Sequence, residues 1–321
     1  MFTLQSSFEK GPEMMRQVYC ETLMELALEN ENIVVLDSDL ISSSGMKPFF
    51  SRFPDRAIQC GIAEANMIGI AAGLSATGKI PFAHSFGCFS SRRACDQIMV
   101  SAAYSRQNVR IIGTDPGVTA ALNGGTHMPF EDMGVLRSIP KITLIEPADT
   151  VVLADILRQL SVLYGVYYLR LSRKNVTSIY REGSTFEIGR GNLLTDGGDV
   201  TIIASGIMVA EALRAAAALG KEKISARVVD MFTWKPMDTA LVEDCARKTG
   251  AVVTAENHNV IGGLGSAVAE ALCTTCPVPL ETVGVKDRFG QVGTEDFLRG
   301  QYGLTAQEIA EAARRAVARK R

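Results

Sequence analysis

Gly61-Ile62-Ala63-Glu64-Ala65-Asn66-Met67-Ile68-Gly69-Ile70-Ala71-Ala72-Gly73-Leu74 holds a single acidic residue in an otherwise uncharged stretch. The apolar residues behind Glu64 recur at helical spacing, and Arg56-Ala57-Ile58-Gln59-Cys60 before it reads as a short strand. Glu64 is therefore expected in the first turn of a helix just past a strand, where open α/β sheets collect their ligands. A carboxylate among Ile, Ala and Met is poorly hydrated and suits a short hydrogen bond to a basic ring nitrogen. On spacing alone the commoner reading is a first-turn acid that stabilises the helix dipole.

Working outward, strand-like and helix-like runs alternate along the chain, the signature of α/β architecture with mostly parallel sheets flanked by helices. After a helix from about Pro12 to Asn30, strands are expected at Ile33–Leu36, Arg56–Cys60, Ile80–Ala83, Val109–Gly113, Ile142–Glu146 and Val166–Leu171. Helices are expected at Glu64–Ala76, Ser90–Tyr104 and Thr150–Tyr164. Between Asn175 and Asp199 the text turns polar and Gly-rich, which places a domain boundary near residue 188 and divides the chain into 1–187 and 188–321. The second unit carries strands at Val200–Ala204, Ala226–Asp230, Ala251–Ala255 and Leu280–Val285, and a last helix, Thr305–Arg319, opened by the capping-box-like Thr305-Ala306-Gln307-Glu308.

The 321 residues suit two domains, each able to bury its own core, and the net charge of -2 gives no electrostatic case for nucleic acid or an anionic membrane as partner. No apolar run approaches a membrane span, and Met1–Lys10 lacks the order of a signal peptide. The 7 scattered cysteines point to reduced thiols in a cytoplasm. Cys273-Thr274-Thr275-Cys276 has no second pair nearby and reads as structural. The 3 histidines and the lack of HExxH argue against a catalytic zinc, and no Gly-x-Ser-x-Gly elbow marks a serine hydrolase. Gly262-Gly263-Leu264-Gly265 stands too far beyond the strand expected to end at Ala255 to be a dinucleotide loop; it reads as a tight strand-to-helix connection.

Polar groups gather just after the expected strands: Asp37, Asp39 and Ser42–Ser44 after the first, Glu64 after the second, His84, Phe86 and Phe89 after the third, Asp115 and Asn123–His127 after the fourth, and Arg173 after the strand ending at Leu171. In a parallel sheet these positions share the carboxyl edge and can line one crevice.

These residues resemble the C-terminal part of transketolase, over essentially the whole chain, as a separately encoded subunit. Gly61–Met67 is similar to the family's pyrimidine-binding motif; Asp37–Leu40, Gly124–His127, Leu171–Asn175, Val229–Pro236 and Glu256–Gly265 follow in the family's order. The resemblance implies a pyrimidine-binding domain followed by a transketolase C-terminal domain, and thiamine diphosphate as the electron sink while a two-carbon ketol unit passes from a ketose phosphate to an aldose. It implies catalytic roles for Glu64, which would hold the aminopyrimidine, and His127, which would bond substrate oxygens and assist proton movement. Phe86 and Phe89 would pack on the pyrimidine, with Asp39 and Arg92 completing the cofactor contacts. Arg16, Ser43 and Arg173 match positions that grip the sugar phosphate, and Asn123 stands where an acid commonly contacts substrate hydroxyls. Asp115 stands where a second substrate histidine often appears.

The family's diphosphate- and metal-binding motif, Gly-Asp-Gly followed by Asn, is absent from this sequence. An N-terminal, diphosphate-binding transketolase subunit is therefore the expected partner, in an α2β2 assembly, and it would hold most of the contacts to Mg2+ or Ca2+. No metal ligand is assigned to this chain. The alternatives are a deoxyxylulose-phosphate synthase-like enzyme, a 2-oxoacid dehydrogenase β subunit, or a non-catalytic scaffolding subunit.

Overall fold

The computed structural model describes residues 1–320. Strands β1 (Ile33–Asp37), β2 (Ala57–Gln59), β3 (Ile80–Phe86), β4 (Val109–Thr114), β5 (Ile142–Ile145), β6 (Val166–Leu171), β7 (Asn192–Thr195), β8 (Val200–Ala204), β9 (Ala226–Asp230), β10 (Thr233–Lys235), β11 (Val252–Asn259) and β12 (Leu280–Val285) form two sheets. A 7-stranded sheet has the order β10-β5-β6-β4-β3-β1-β2, and a 5-stranded sheet the order β12-β11-β8-β9-β7. Both are parallel except at one edge, where β10 runs antiparallel to β5 and β7 antiparallel to β9.

Helices cover both faces of each sheet, so β1, β4, β6, β8 and β9 are buried end to end. That explains their Val- and Ile-rich runs without polar alternation. Met15, Tyr19 and Leu23 pack with Val152 and Ile156 on one face of the first sheet, while Met67, Ile68 and Ala71 pack with Ile98 and Ala102 on the other. In the second domain Leu213 and Ile309 belong to the first of these layers and Val242 and Val268 to the second. The Thr305 hydroxyl caps the helix Ala306–Ala318 by accepting from Glu308 N–H at 3.3 Å, as its sequence suggests.

Several expectations are corrected. β3 continues to Phe86, so His84 and Phe86 lie within the strand rather than after it. The segment expected as one helix, Ser90–Tyr104, is broken into π-helical turns at Phe89–Arg93 and Ile98–Tyr104 around the short Cys95–Gln97 turn. β11 runs on to Asn259, so Gly262–Gly265 is adjacent to its strand, contrary to the spacing argument. It is still no anion loop: the buried Glu256 carboxylate accepts from Leu264 N–H at 2.7 Å and Gly265 N–H at 2.9 Å, filling the helix N-terminus itself. A Cβ on Gly263 would lie 1.9 Å from Glu256 Oε2, so only glycine permits that approach. β7, too, lies inside the polar stretch that sequence reads as a break, and β10 is a strand of the first sheet lent by the chain beyond it.

The domains are joined by buried polar contacts. Arg170, fully buried on β6, meets Asp132 at 2.9 Å and Glu146 at 2.6 Å and donates to Pro129 O at 3.0 Å and Asn257 O at 2.9 Å. Burial opposes its charge, but Asp132 and Glu146 outweigh that, and its pKa moves upward. Glu146 also accepts from Ser205 of the second domain at 2.6 Å. Replacing the guanidinium by Arg170→Met leaves two buried carboxylates without a counter-charge. The expected loss is about 3–5 kcal/mol, read as a lower urea midpoint than the unsubstituted chain.

Candidate active site

The carboxyl edge of the first sheet carries the expected residues. Glu64 opens the helix Glu64–Ala76 and is 1% exposed. Its Oε1 accepts from the Ser85 hydroxyl at 3.3 Å, and Ser85 in turn accepts from Ser38 at 2.7 Å, a buried hydroxyl relay from β1 through β3. Oε2 accepts from Arg93 Nη1 at 2.8 Å. The Arg93 guanidinium lies 4.1 Å above the Phe89 ring, so one flat cation touches both the acid and the aromatic face.

His127 sits between the two expected aromatics, its ring edge-on to Phe86 at 5.7 Å and to Phe89 at 5.2 Å. Its Nδ1 shares a hydrogen bond with Thr126 Oγ1 at 3.0 Å. The loop that carries it is held by the second domain. Asn257 accepts from Val118 N–H at 3.0 Å and donates to Pro116 O at 2.8 Å, and a Cβ on Gly125 would lie 2.2 Å from Gly290 O.

Arg16, Ser43, Arg173 and Asp115 come together at the other end. Arg16 Nη1 donates to Ser43 O at 3.1 Å, and its backbone N–H donates to Arg173 O at 3.3 Å. Arg173 lies 3.2 Å from Asp115 Oδ1 and 5.6 Å from the Phe86 ring centroid. Behind them His84 is fully buried, and neither ring nitrogen has a hydrogen-bond partner.

The remaining expected residues, Arg92, Asp39 and Asn123, are exposed. Arg92 does not face Glu64: it turns to Glu131, 2.7 Å away, and its neighbour Arg93 reaches the acid instead. Successive residues on a helical turn leave the axis in different directions, so only one of the pair reaches the acid. Asp39 is exposed with a left-handed backbone, φ +66°, while its buried neighbour Asp37 caps the loop by accepting from Leu40 N–H and, at 3.1 Å, from Ser44. Burial pushes the Asp37 carboxyl up to about 6. Asn123 is exposed at the end of a short 3-10 stretch interrupted at Ala121, φ +48°. Sequence reasoning missed Arg93 and Ser85. Arg93 was discoverable as the residue four after Phe89, one helical turn on along the same face.

A buried acid with a hydroxyl at one oxygen and aromatic faces beside it fits a flat nitrogen heterocycle. The guanidinium stacked on Phe89 already makes the two contacts such a ring needs. A cleft of about 650 Å3 opens elsewhere, among Lys174, Gly206, Arg214, Glu295 and Arg299, and none of the residues expected to bind cofactor lines it. Among the described residues no group of three or more His, Cys, Asp or Glu could hold a metal ion, and no helix is long and apolar enough to cross a membrane.

His84 makes the site's stability pH-dependent. Burial, then the charge of Arg173, lowers its pKa from 6.5 to about 3. Below pH 6.5 the unfolded chain therefore takes up a proton that the folded chain refuses. This residue's contribution is whole above that pH and is lost as pH falls. Acidification from pH 7 to pH 5 costs about 2 kcal/mol through this one group. Urea unfolding at the two pH values should show a drop smaller by that amount in His84→Gln.

Comparison with known proteins identifies the family. Residues 12–178 match the transketolase pyrimidine-binding domain and residues 189–309 the transketolase C-terminal domain. The chain is 52% identical over 306 residues to a 6-deoxy-6-sulfo-D-fructose transketolase subunit of a Clostridium species, covering 95% of each chain. It is 35% identical over 300 residues to one subunit of the apulose-4-phosphate transketolase of Phocaeicola vulgatus, covering 93% of this chain and 96% of that one. A solved structure described as a split gene transketolase, inactive beta4 tetramer, superposes with a TM-score of 0.89 at 45% identity, over 96% of this chain and 99% of that one. Matching family domains in order, over nearly the full length of separately encoded subunits, show that the chain belongs to the transketolase family as a C-terminal subunit of the split type.

Proposed function

We propose that this chain is the pyrimidine-side half of a two-subunit transketolase that moves a two-carbon ketol unit from an anionic ketose, such as a ketose phosphate, to an aldose. Its domains are residues 1–187 and 188–321. The partner is an N-terminal, diphosphate-binding subunit, in an α2β2 assembly, and that subunit supplies most of the ligands for Mg2+ or Ca2+. The unpaired cysteines support a reducing, cytoplasmic setting.

The observation that carries this reading is the buried Glu64 carboxylate at the sheet edge, facing Phe89 and His127 through Arg93. Thiamine diphosphate, which transketolases depend on, supplies the electron sink for cleaving and forming the carbon–carbon bond. Glu64 holds the cofactor's aminopyrimidine nitrogen, and its rigid position comes from the helix start and the Ser38–Ser85 relay. Phe86 and Phe89 flank the ring, and Arg93 moves off Glu64 to admit it. Asp39 and Arg92 stand at the rim, outside direct contact with the acid. His127, fixed by two aromatic rings, bonds a substrate oxygen and moves a proton there. Asn123 contacts sugar hydroxyls, while Arg16, Ser43 and Arg173 hold the far anionic end.

Recognition of a tetrahedral anion by two arginines favours this reading over a 2-oxoacid dehydrogenase β subunit, whose substrate has no such end. Glu64→Gln in the reconstituted pair is expected to lower turnover at least about a hundredfold with unchanged assembly by sedimentation. The chain by itself is expected to show no ketol transfer, a result in keeping with the inactive homotetramer reported for its structural relative. Unchanged turnover in the variant would return the scaffolding reading.

A further inference from the structure

Asp115 stands against the arginines assigned to the anionic end of the sugar. It is 1% exposed, with Oδ1 3.2 Å from Arg173 Nε. Neither carboxylate oxygen has a well-aligned donor, so the contact with Arg173 is chiefly an ion pair; burial raises the Asp115 pKa, and Arg173, Thr114, Lys174 and Arg16 pull the other way. The backbone fixes the arrangement: Asp115 N–H donates to Leu171 O at 3.2 Å, two residues before Arg173 in sequence, and Arg16 N–H donates to Arg173 O at 3.3 Å. Asp115 has a left-handed backbone, φ +59°. Asparagine tolerates that conformation as readily as aspartate, so the loop needs one of these shapes but not the charge.

We propose that Asp115 sets the charge accepted at this end of the site, selecting a ketose that ends in a singly charged tetrahedral anion, a sulfonate, over one that ends in phosphate. This rests on the ketol-transfer reading above. At this end the guanidinium charges of Arg16 and Arg173, less the Asp115 carboxylate, leave one net positive charge; Lys174 also acts on Asp115 but lines the separate cleft. A phosphate monoester carries roughly 1.5 to 2 negative charges near neutral pH, whereas a sulfonate carries one and offers three oxygens to the same donors. The second phosphate charge would face a buried carboxylate that cannot retreat into water, and the low-dielectric surroundings magnify the repulsion. His84, near Arg173, is buried and neutral and adds no compensating cation. Asp115 approaches Arg173 most closely at Nε, the side away from its outer N–H groups.

The test uses the complex reconstituted with its diphosphate-binding partner, one aldose acceptor, and two ketohexoses that differ only in a C6 sulfonate or a C6 phosphate. The unsubstituted complex is expected to favour the sulfonate in kcat/KM by at least roughly tenfold. In Asp115→Asn, which keeps the side-chain shape and the left-handed backbone, that ratio falls by roughly tenfold or more, mainly through a lower KM for the phosphate. A preference for phosphate in the unsubstituted complex, or a ratio unmoved by the substitution, overturns the proposal. Binding of the matching unreactive alditol sulfonate and alditol phosphate is measured on the same complexes. If neither ketose reacts, the ketol-transfer reading fails, while the alditol affinity ratio and its response to Asp115→Asn still decide the role of Asp115.

Discussion

Arg170 is the interaction on which the rest of the molecule hangs. A fully buried guanidinium is costly to desolvate, and here two carboxylates and two backbone carbonyls surround it. These partners come from three places: the segment after the His127 loop, the end of β5, and β11 of the second domain. No partner can shift without exposing a buried charge, so the packing of the two sheets is specified as well as stabilised. Glu146 extends the same network to Ser205, and Asn257 extends it to the loop that begins at Asp115.

The consequence is a site assembled from rigid and hung parts. Glu64 belongs to a helix start and a strand-to-strand hydroxyl relay, and it is fixed by the first sheet alone. His127 belongs to a loop whose position depends on the second domain, through Asn257 and the close approach of Gly125 to Gly290. The second domain therefore positions the His127 loop without placing any of the expected catalytic side chains in the site.

Charge is balanced along the crevice except at Arg16. Arg93 is matched by Glu64 and Arg173 by Asp115, while Arg16 spends its guanidinium on the Ser43 carbonyl. A flat ring that displaces Arg93 from Glu64 exchanges one planar N–H donor for another. An anion arriving at the far end meets Arg16 with its charge uncompensated. On the proposed function the two ends of the site differ in kind: one would recognise shape and a hydrogen bond, the other net charge.

The alternation of strands and helices, the helix start at Glu64, the aromatic pair and the arginines were legible in the sequence, because period, turn residues and residue order are local properties. So was the likeness to transketolase, carried by motifs a few residues long. Tertiary structure alone decided that β10 crosses into the first sheet, that Glu256 fills the turn at Gly262–Gly265, and that Arg93 rather than Arg92 reaches Glu64. It alone also turned Asp115 from a loop residue into the counter-charge of Arg173. Each of these depends on the distance between groups far apart in the chain or on which way a side chain leaves a turn. Hydrophobic period does not encode such distances; they arise when buried charges must find partners as the sheets close.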